Sequence, residues 1–351
     1  MKFKSNLMFG LLVLAGPGAF AQSAWRSVAV PYYTPPAYVQ GLQFGWYTPR
    51  SREFGANAHS LLEATSAYCA GGPLAPAREA WRSALLAWDR VGTVAIGPLI
   101  ERRSTRRIDF GAVRPELMAR AIEARPASEA DMDRVGSPAK GFAALEALLW
   151  TSPAAKGTPA CDFAVQAATD IAREADALAA AFDAASHAEP DDEATVAAMA
   201  EAVNQWIGGL DTLRSQAFER PLRELEARRQ AHPGARLQFA RDASGASAAE
   251  RSARWQTLSA LAVFEGGEAP APGAGLVPLE PYLRGKGLNP LADKLVAAVR
   301  RAGRGIDAAQ RATPATLQAA ARNLADLKTF VEAEVAPALD ISLGFTEADG
   351  D

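Results

Sequence analysis

Apolar residues recur along most of this chain at helical spacing, and no stretch alternates with the period of two that a half-buried strand needs. The pattern predicts helices over about 53–69, 75–92, 114–125, 139–151, 161–187, 191–208, 210–231, 247–265, 288–303 and 314–336. Breakers fall between them: Gly71-Gly72-Pro73, Ser152-Pro153, Gly157-Thr158-Pro159, Glu189-Pro190 and Gly208-Gly209. Amphipathic helices with short connections bury their apolar stripes on one another, so the expected class is all-α, two four-helix-type bundles. Residues 22–51 are rich in Pro, Tyr and Gly and are read as an extended arm. Two further stretches, Gly97–Arg114 and Gly266–Gly287, lack the helical period, and long irregular segments often carry function.

The first residues read as an export signal. Lys2 and Lys4 precede an apolar run, Leu7–Ala15, too short to span a bilayer, and Ala19-Phe20-Ala21 has the small-x-small pattern of a cleavage site. The alternatives are a membrane anchor or a buried first helix, but Gly16-Pro17-Gly18 interrupts the segment before the cut. The expected organisation is therefore a signal peptide over 1–21, an arm over 22–51, an N-terminal bundle over 52–208 and a C-terminal bundle over 209–351. Cleavage after Ala21 places the protein in the periplasm and removes two lysines, taking the formal charge from -3 to -5. That balance, with charges mixed along the chain, gives no electrostatic case for nucleic acid or an anionic membrane. No later stretch is apolar for long enough to span a membrane.

Cys69 and Cys161 are the two cysteines. In an oxidising compartment they are a candidate disulfide closing a loop of about ninety residues. A pair of buried free thiols is the alternative.

The segments Gly141–Leu149 and Gly275–Leu283 both read Gly-x-x-x-Leu-Glu-x-x-Leu, and Trp81–Leu85 has a counterpart near Trp255–Leu261. An internal duplication would make Glu146 and Glu280 equivalent carboxylates facing an inter-bundle cleft. Chance is the competing account, since Ala, Leu and Glu are common here.

The chain has no His-Glu-x-x-His, no Gly-x-Ser-x-Gly and no phosphate-cradling glycine loop. His59 and Glu63 share a helix face and could ligate a metal, or form an ordinary surface pair. Glu146 lies in an apolar run. Burial of a carboxylate demands a partner, with Arg90, Arg107 or another base as candidates, and the residue is either a site group or half of a structural ion pair. Asp89, Glu101, Arg107 and Asp109 surround the irregular segment after the second helix. Arg102-Arg103 and Arg106-Arg107 form a small basic cluster, and Glu347, Asp349 and Asp351 an acidic tail. The tryptophans read mainly as core.

Several segments, in order, resemble the imelysin family: Ala87-Trp88-Asp89-Arg90 with Ile96-Gly97-Pro98-Leu99; Arg107-Ile108-Asp109-Phe110; Lys140-Gly141-Phe142-Ala143-Ala144-Leu145-Glu146-Ala147-Leu148-Leu149-Trp150; Ala160-Cys161-Asp162; and the end from Leu343 to Asp351. The resemblance implies two helical bundles with a site at their junction, an envelope location and a link to iron uptake. It suggests that Asp89, Glu101, Arg107 and Asp109 line one cleft, and the candidate binding residues are Gly141, Glu146, Asp89, Arg90, Arg107 and Asp109, with Glu280 added by the duplication. The family is classed with peptidases, and its motif is Gly-x-His-x-x-Glu. Here Gly141 and Glu146 match, but Ala143 stands at the His position, which removes an imidazole ligand and thins the case for a metallopeptidase. The expected function is a non-catalytic periplasmic binding protein associated with iron uptake, with iron or another divalent metal as the candidate cofactor and Glu146, His59 and Glu63 as candidate ligands. An imelysin-type metallopeptidase and an envelope scaffold that binds a protein partner are the alternatives.

Overall fold

The computed structural model describes residues 30–188, 192–266 and 268–344. Among them every regular element is helical. The expected signal peptide lies outside the described residues.

The chain enters as α1 (Pro35–Leu42), passes through a π-helical turn (Gln43–Tyr47) and continues as α2 (Thr48–Cys69). The expected extended arm is thus helical from residue 35. Thr34 caps α1 by accepting from the Ala37 N–H, and Pro35-Pro36 sit in the first turn, where a missing N–H costs nothing. Tyr38, Val39, Leu42, Trp46 and Tyr47 form a buried stripe. Pro and Gly in the composition obscured that stripe. Gly41 has a packing role: a Cβ there would lie 2.6 Å from the Gly275 carbonyl oxygen.

Next come α3 (Leu74–Gly92), the short α4 (Pro98–Glu101) and α5 (Ser104–Ile108), α6 (Pro115–Glu123), α7 (Glu129–Arg134) and α8 (Gly141–Glu146). A π-helical turn over Ala147–Thr151 ends α8, and α9 runs over Pro159–His187. The supposedly irregular 97–114 segment therefore holds two short helices, too brief to show a period.

After α9 come α10 (Asp192–Thr212), a π-helical turn (Leu213–Glu219) and α11 (Arg220–Ala231), which form one continuous helical run. The break expected at Gly208-Gly209, and with it the bundle boundary at 209, does not occur. Gly209 instead permits a close approach, since a Cβ would meet the Thr93 carbonyl oxygen at 2.6 Å. The remainder is α12 (Ser247–Ala262), α13 (Leu279–Gly285), α14 (Asn289–Ala309), α15 (Pro314–Phe330), a π-helical turn (Val331–Val335) and α16 (Ala336–Ala338).

Helices α2, α3, α8 and α9 pack in one group, and α10, α12, α14 and α15 in a second, with α1 against α10 and α13 against α14. The α3–α12 contact joins the groups. Cys69, closing α2, and Cys161, in the first turn of α9, form a disulfide with Cα atoms 5.6 Å apart. Trp81 of α3 is fully buried, donates from Nε1 to the Phe142 carbonyl at 3.0 Å and packs edge-on against Phe142 and Trp150. It fixes α8 against α3, and hence the position of Glu146.

Candidate functional site

At the α3–α12 contact the apolar stripe of α3 ends in Trp88, Asp89 and Val91, all buried. Facing it, the α12 stripe carries Glu250, Arg251 and Ala253 before Thr257 and Leu258. Three more segments converge here: Asp109 just past α5, Glu146 ending α8, and the Arg241–Ser244 loop ahead of α12.

Their side chains form one buried network. Ser244 donates to Glu146 Oε1 from its backbone N–H at 2.9 Å and from its hydroxyl at 2.7 Å. Arg241 Nη1 donates to Glu146 Oε2 at 3.5 Å, its Nη2 donates to Asp109 Oδ1, and its Nε lies 3.5 Å from Glu250 Oε1. Arg254 donates from Nε to Asp89 Oδ1 at 2.7 Å and from Nη2 to Glu250 Oε1 at 3.3 Å, and approaches Asp109 Oδ2 at 3.6 Å. Four carboxylates thus share two guanidiniums, a local excess of negative charge.

The electrostatics follow. Burial pushes the Asp89 carboxyl up to about 7; Arg254 opposes this, while Glu250 and Asp109 add to it. Its Oδ2 has no hydrogen-bond partner. Burial alone would lower Arg241 and Arg254, but the carboxylates around each hold both above the ordinary arginine value.

The network borders a cavity of about 410 Å³. Trp88, Phe110 and Phe239 give it apolar walls, Arg251 and Arg220 contribute cations, and Gln205 an amide. The π-helical turn after α10 supplies Leu213, Ser215, Gln216 and Ala217 to the lining. Such turns interrupt a helix at some cost and recur at functional sites.

Of the expected cleft residues, the structure gathers Asp89, Asp109 and Glu146. Arg90 instead pairs with Glu53 at 2.7 Å near the surface. Arg107 belongs to an adjacent network, reaching Asp133, Asp170 at 3.4 Å and Glu174 at 3.6 Å. There Lys140 meets Asp170 at 2.9 Å, and Arg102 clamps Glu174 with two 2.9 Å hydrogen bonds. Glu280 is held apart by Arg284 at 2.9 Å and the Phe264 N–H at 3.2 Å. Gly141 acts through its backbone: with φ at 74° and its would-be Cβ 2.2 Å from the Ile108 carbonyl oxygen, it lets α8 abut the end of α5 and brings Asp109 toward Glu146.

The expected metal ligands do not come together. His59 pairs with Asp176 at 2.9 Å on the surface, Glu63 is exposed, and both oxygens of Glu146 are engaged by Ser244 and Arg241. Among the described residues no group of three or more His, Cys, Asp or Glu is arranged to hold a metal ion. The residues present do not fit the metal centre that the resemblance implies.

Sequence reasoning missed Arg241, Ser244, Glu250, Arg251 and Arg254. Glu250 shares the α12 stripe with Ala253, Thr257 and Leu261, so the helical period marks it as buried. Arg241 lies in a stretch with no period and gives no such signal.

The comparisons agree with this architecture. The imelysin-like protein from Psychrobacter arcticum 273-4 superposes with a TM-score of 0.68 at 18% identity, over 91% of this chain and 100% of that one. A putative iron-regulated protein A precursor from Parabacteroides distasonis ATCC 8503 gives a TM-score of 0.66 at 15% identity, over 87% of this chain and 95% of that one. No curated protein matches the sequence significantly. The family described as Imelysin matches residues 48–338, most of the chain and every segment of the buried network, and the chain belongs to that family.

Proposed function

We propose that this imelysin-family protein is an exported, non-catalytic binding protein of the periplasm, and that its ligand occupies the cavity at the junction of the two helix groups. The observation that carries the reading is the cavity itself: about 410 Å³, placed where five chain segments converge and bordered by a largely buried ion-pair network. Concave sites that combine apolar walls with convergent polar groups are where small ligands bind. Among the described residues no helix is long and apolar enough to cross a membrane.

The carboxylates that would serve a bare ion are committed to guanidiniums, so the reading favours an organic ligand. The link with iron draws support from the description of one structural neighbour as a putative iron-regulated protein A precursor. On this reading any iron would reach the cavity within an organic complex. A peptidase would need a metal with an open position and a general base. Ala143 and the sequestered Glu146 supply neither.

The test is thermal unfolding of residues 22–351 with ferrous, ferric, zinc, copper and calcium ions, beside small organic ligands, since a ligand bound only by the folded state must raise the midpoint. Bare ions should leave the midpoint in place, and at least one organic ligand should raise it. A shift with a bare ion that Glu146→Ala abolishes would instead place a metal at the junction, and chelator-sensitive cleavage of an unfolded substrate would establish the peptidase.

A further inference from the structure

Arg251 stands out among the cavity residues. It is 4% exposed, yet among the described residues its guanidinium makes no hydrogen bond and no ion pair. Its Nε is buried without an acceptor, and its guanidinium carbon stacks over the Phe239 ring at 4.8 Å. Burial lowers its proton affinity, and Glu250 and Asp242 offset this only through space. A buried cation without a partner is costly. Arg241 and Arg254 line the same cavity, but each is matched to several carboxylates. Arg251 differs in bringing to the cavity a guanidinium that, among the described residues, no carboxylate holds at salt-bridge distance.

We propose that Arg251 is the anchor of an anion site, and that the junction cavity takes the carboxylate of a small organic monoacid. This rests on the cavity being the ligand site. A guanidinium presents a planar fork of donors that matches a carboxylate or phosphate. Two observations choose between them. The neighbouring network carries more carboxylates than guanidiniums, which penalises a dianionic phosphate more than a singly charged carboxylate. The volume and the Trp88, Phe110 and Phe239 walls call for an organic body far larger than an inorganic ion. The carboxylate lies against Arg251, and the organic part fills the space between these rings.

The experiment is calorimetric titration of the purified chain with acetate, benzoate and indole-3-acetate, the corresponding neutral amides, inorganic phosphate and phenyl phosphate, repeated with Arg251→Met and Arg251→Lys. At least one aromatic acid should bind. Its amide should bind about tenfold or more weakly, the loss expected when a charge-assisted hydrogen bond is removed. Arg251→Met should abolish the preference for acid over amide, and Arg251→Lys should keep part of it. Without ligand, Arg251→Met should unfold no earlier than the parent, whereas a purely structural arginine would lower the midpoint. Equal binding of acid and amide, acid binding untouched by Arg251→Met, or tighter binding of phenyl phosphate than of benzoate overturns the proposal. If amides bind and the cavity-filling Ser215→Trp abolishes that binding, the cavity stands as the ligand site and only the carboxylate assignment falls. If no acid and no amide binds, both fall.

Discussion

Arg254 holds one oxygen of Asp89, donating from Nε to Oδ1 at 2.7 Å across the α3–α12 contact, while Oδ2 stays buried with no hydrogen bond. One salt bridge does not offset the burial of this carboxyl beside two other acids, Glu250 and Asp109. Its proton affinity therefore rises, to about 7.

That shift sets a pH dependence. An Asp in the unfolded chain titrates near its ordinary value of about 4. Between that value and about 7 the folded state keeps a proton that the unfolded state has released, so the Asp89 contribution is fully present below the lower value and is lost as pH rises through the upper one. Asp89→Asn cannot titrate, yet its amide oxygen can still accept from Arg254. The variant should gain on the parent as pH increases, its advantage in unfolding free energy being larger at about pH 8 than at about pH 5 by a few kcal/mol at most. Denaturant unfolding of both proteins across that range reads the difference directly. A constant difference would mean that Asp89 titrates normally.

Arg241 bridges Asp109, Glu146 and Glu250 from within the core. Removing one member of a buried ion network leaves the others uncompensated, a loss of about 3–5 kcal/mol. Arg241→Met should fall in that range, although Met fills similar space. Its unfolding free energy in urea, compared with that of the surface variant Arg90→Met, separates burial from charge. Arg90 pairs only with half-exposed Glu53 among the described residues, and its loss should cost under about 1 kcal/mol.

Glu146 accepts from both the backbone and the hydroxyl of Ser244. Glu146→Gln retains an acceptor for both, and Glu146→Ala retains none. The alanine variant should lose about 2–3 kcal/mol more than the glutamine variant, since buried unsatisfied donors cost about that much. Equal losses would indicate that charge toward Arg241, and not the Ser244 cradle, is what Glu146 supplies.

The helical class was legible because long amphipathic stripes such as those of α3 and α14 survive without any tertiary information. The sequence also marked Glu146, since a carboxylate within an apolar run must find a partner, and the family resemblance marked Asp89 and Asp109 beside the irregular segment. It did not reveal the partner. Arg241 lies 95 residues from Glu146 in a segment without period, so nothing local distinguishes it from Arg90 or Arg107. Arg251 and Arg254 look like the solvated charges of an Ala-rich helix until α3 is placed against them. Glycine misled twice, for one reason. At Gly41 and Gly209 it serves close approach of another backbone, whereas in sequence the first reads as part of an extended arm and the second as a helix break.

The disulfide offers a prediction independent of the junction. Cys69 and Cys161 tie the end of α2 to the start of α9 across 92 residues. Closing a loop of that length restricts the unfolded chain, a stabilisation of about 2–4 kcal/mol. A reductant should lower the unfolding midpoint of the parent and leave the double variant Cys69→Ala, Cys161→Ala unchanged. A parent indifferent to reductant would show that packing of α2 on α9 alone holds this end.

Gly141 tests whether the family motif begins with a glycine for conformational reasons. Both Gly141 and Gly157 have positive φ, at 74° and 72°, but only Gly141 faces a backbone atom, the Ile108 carbonyl oxygen, 2.2 Å from where a Cβ would stand. Gly157 has nothing within 4 Å. Alanine at 157 therefore carries backbone strain alone, about 1–2 kcal/mol. Alanine at 141 carries the same strain and must also push Ile108 away, and Asp109 with it. Gly141→Ala should be the more destabilised of the two, and it should also alter the pH dependence that Asp89 imposes, because Asp109 is one of the acids raising that group. Equal destabilisation of the two variants, with the Asp89 profile intact, would show that the α5–α8 approach yields without disturbing the junction.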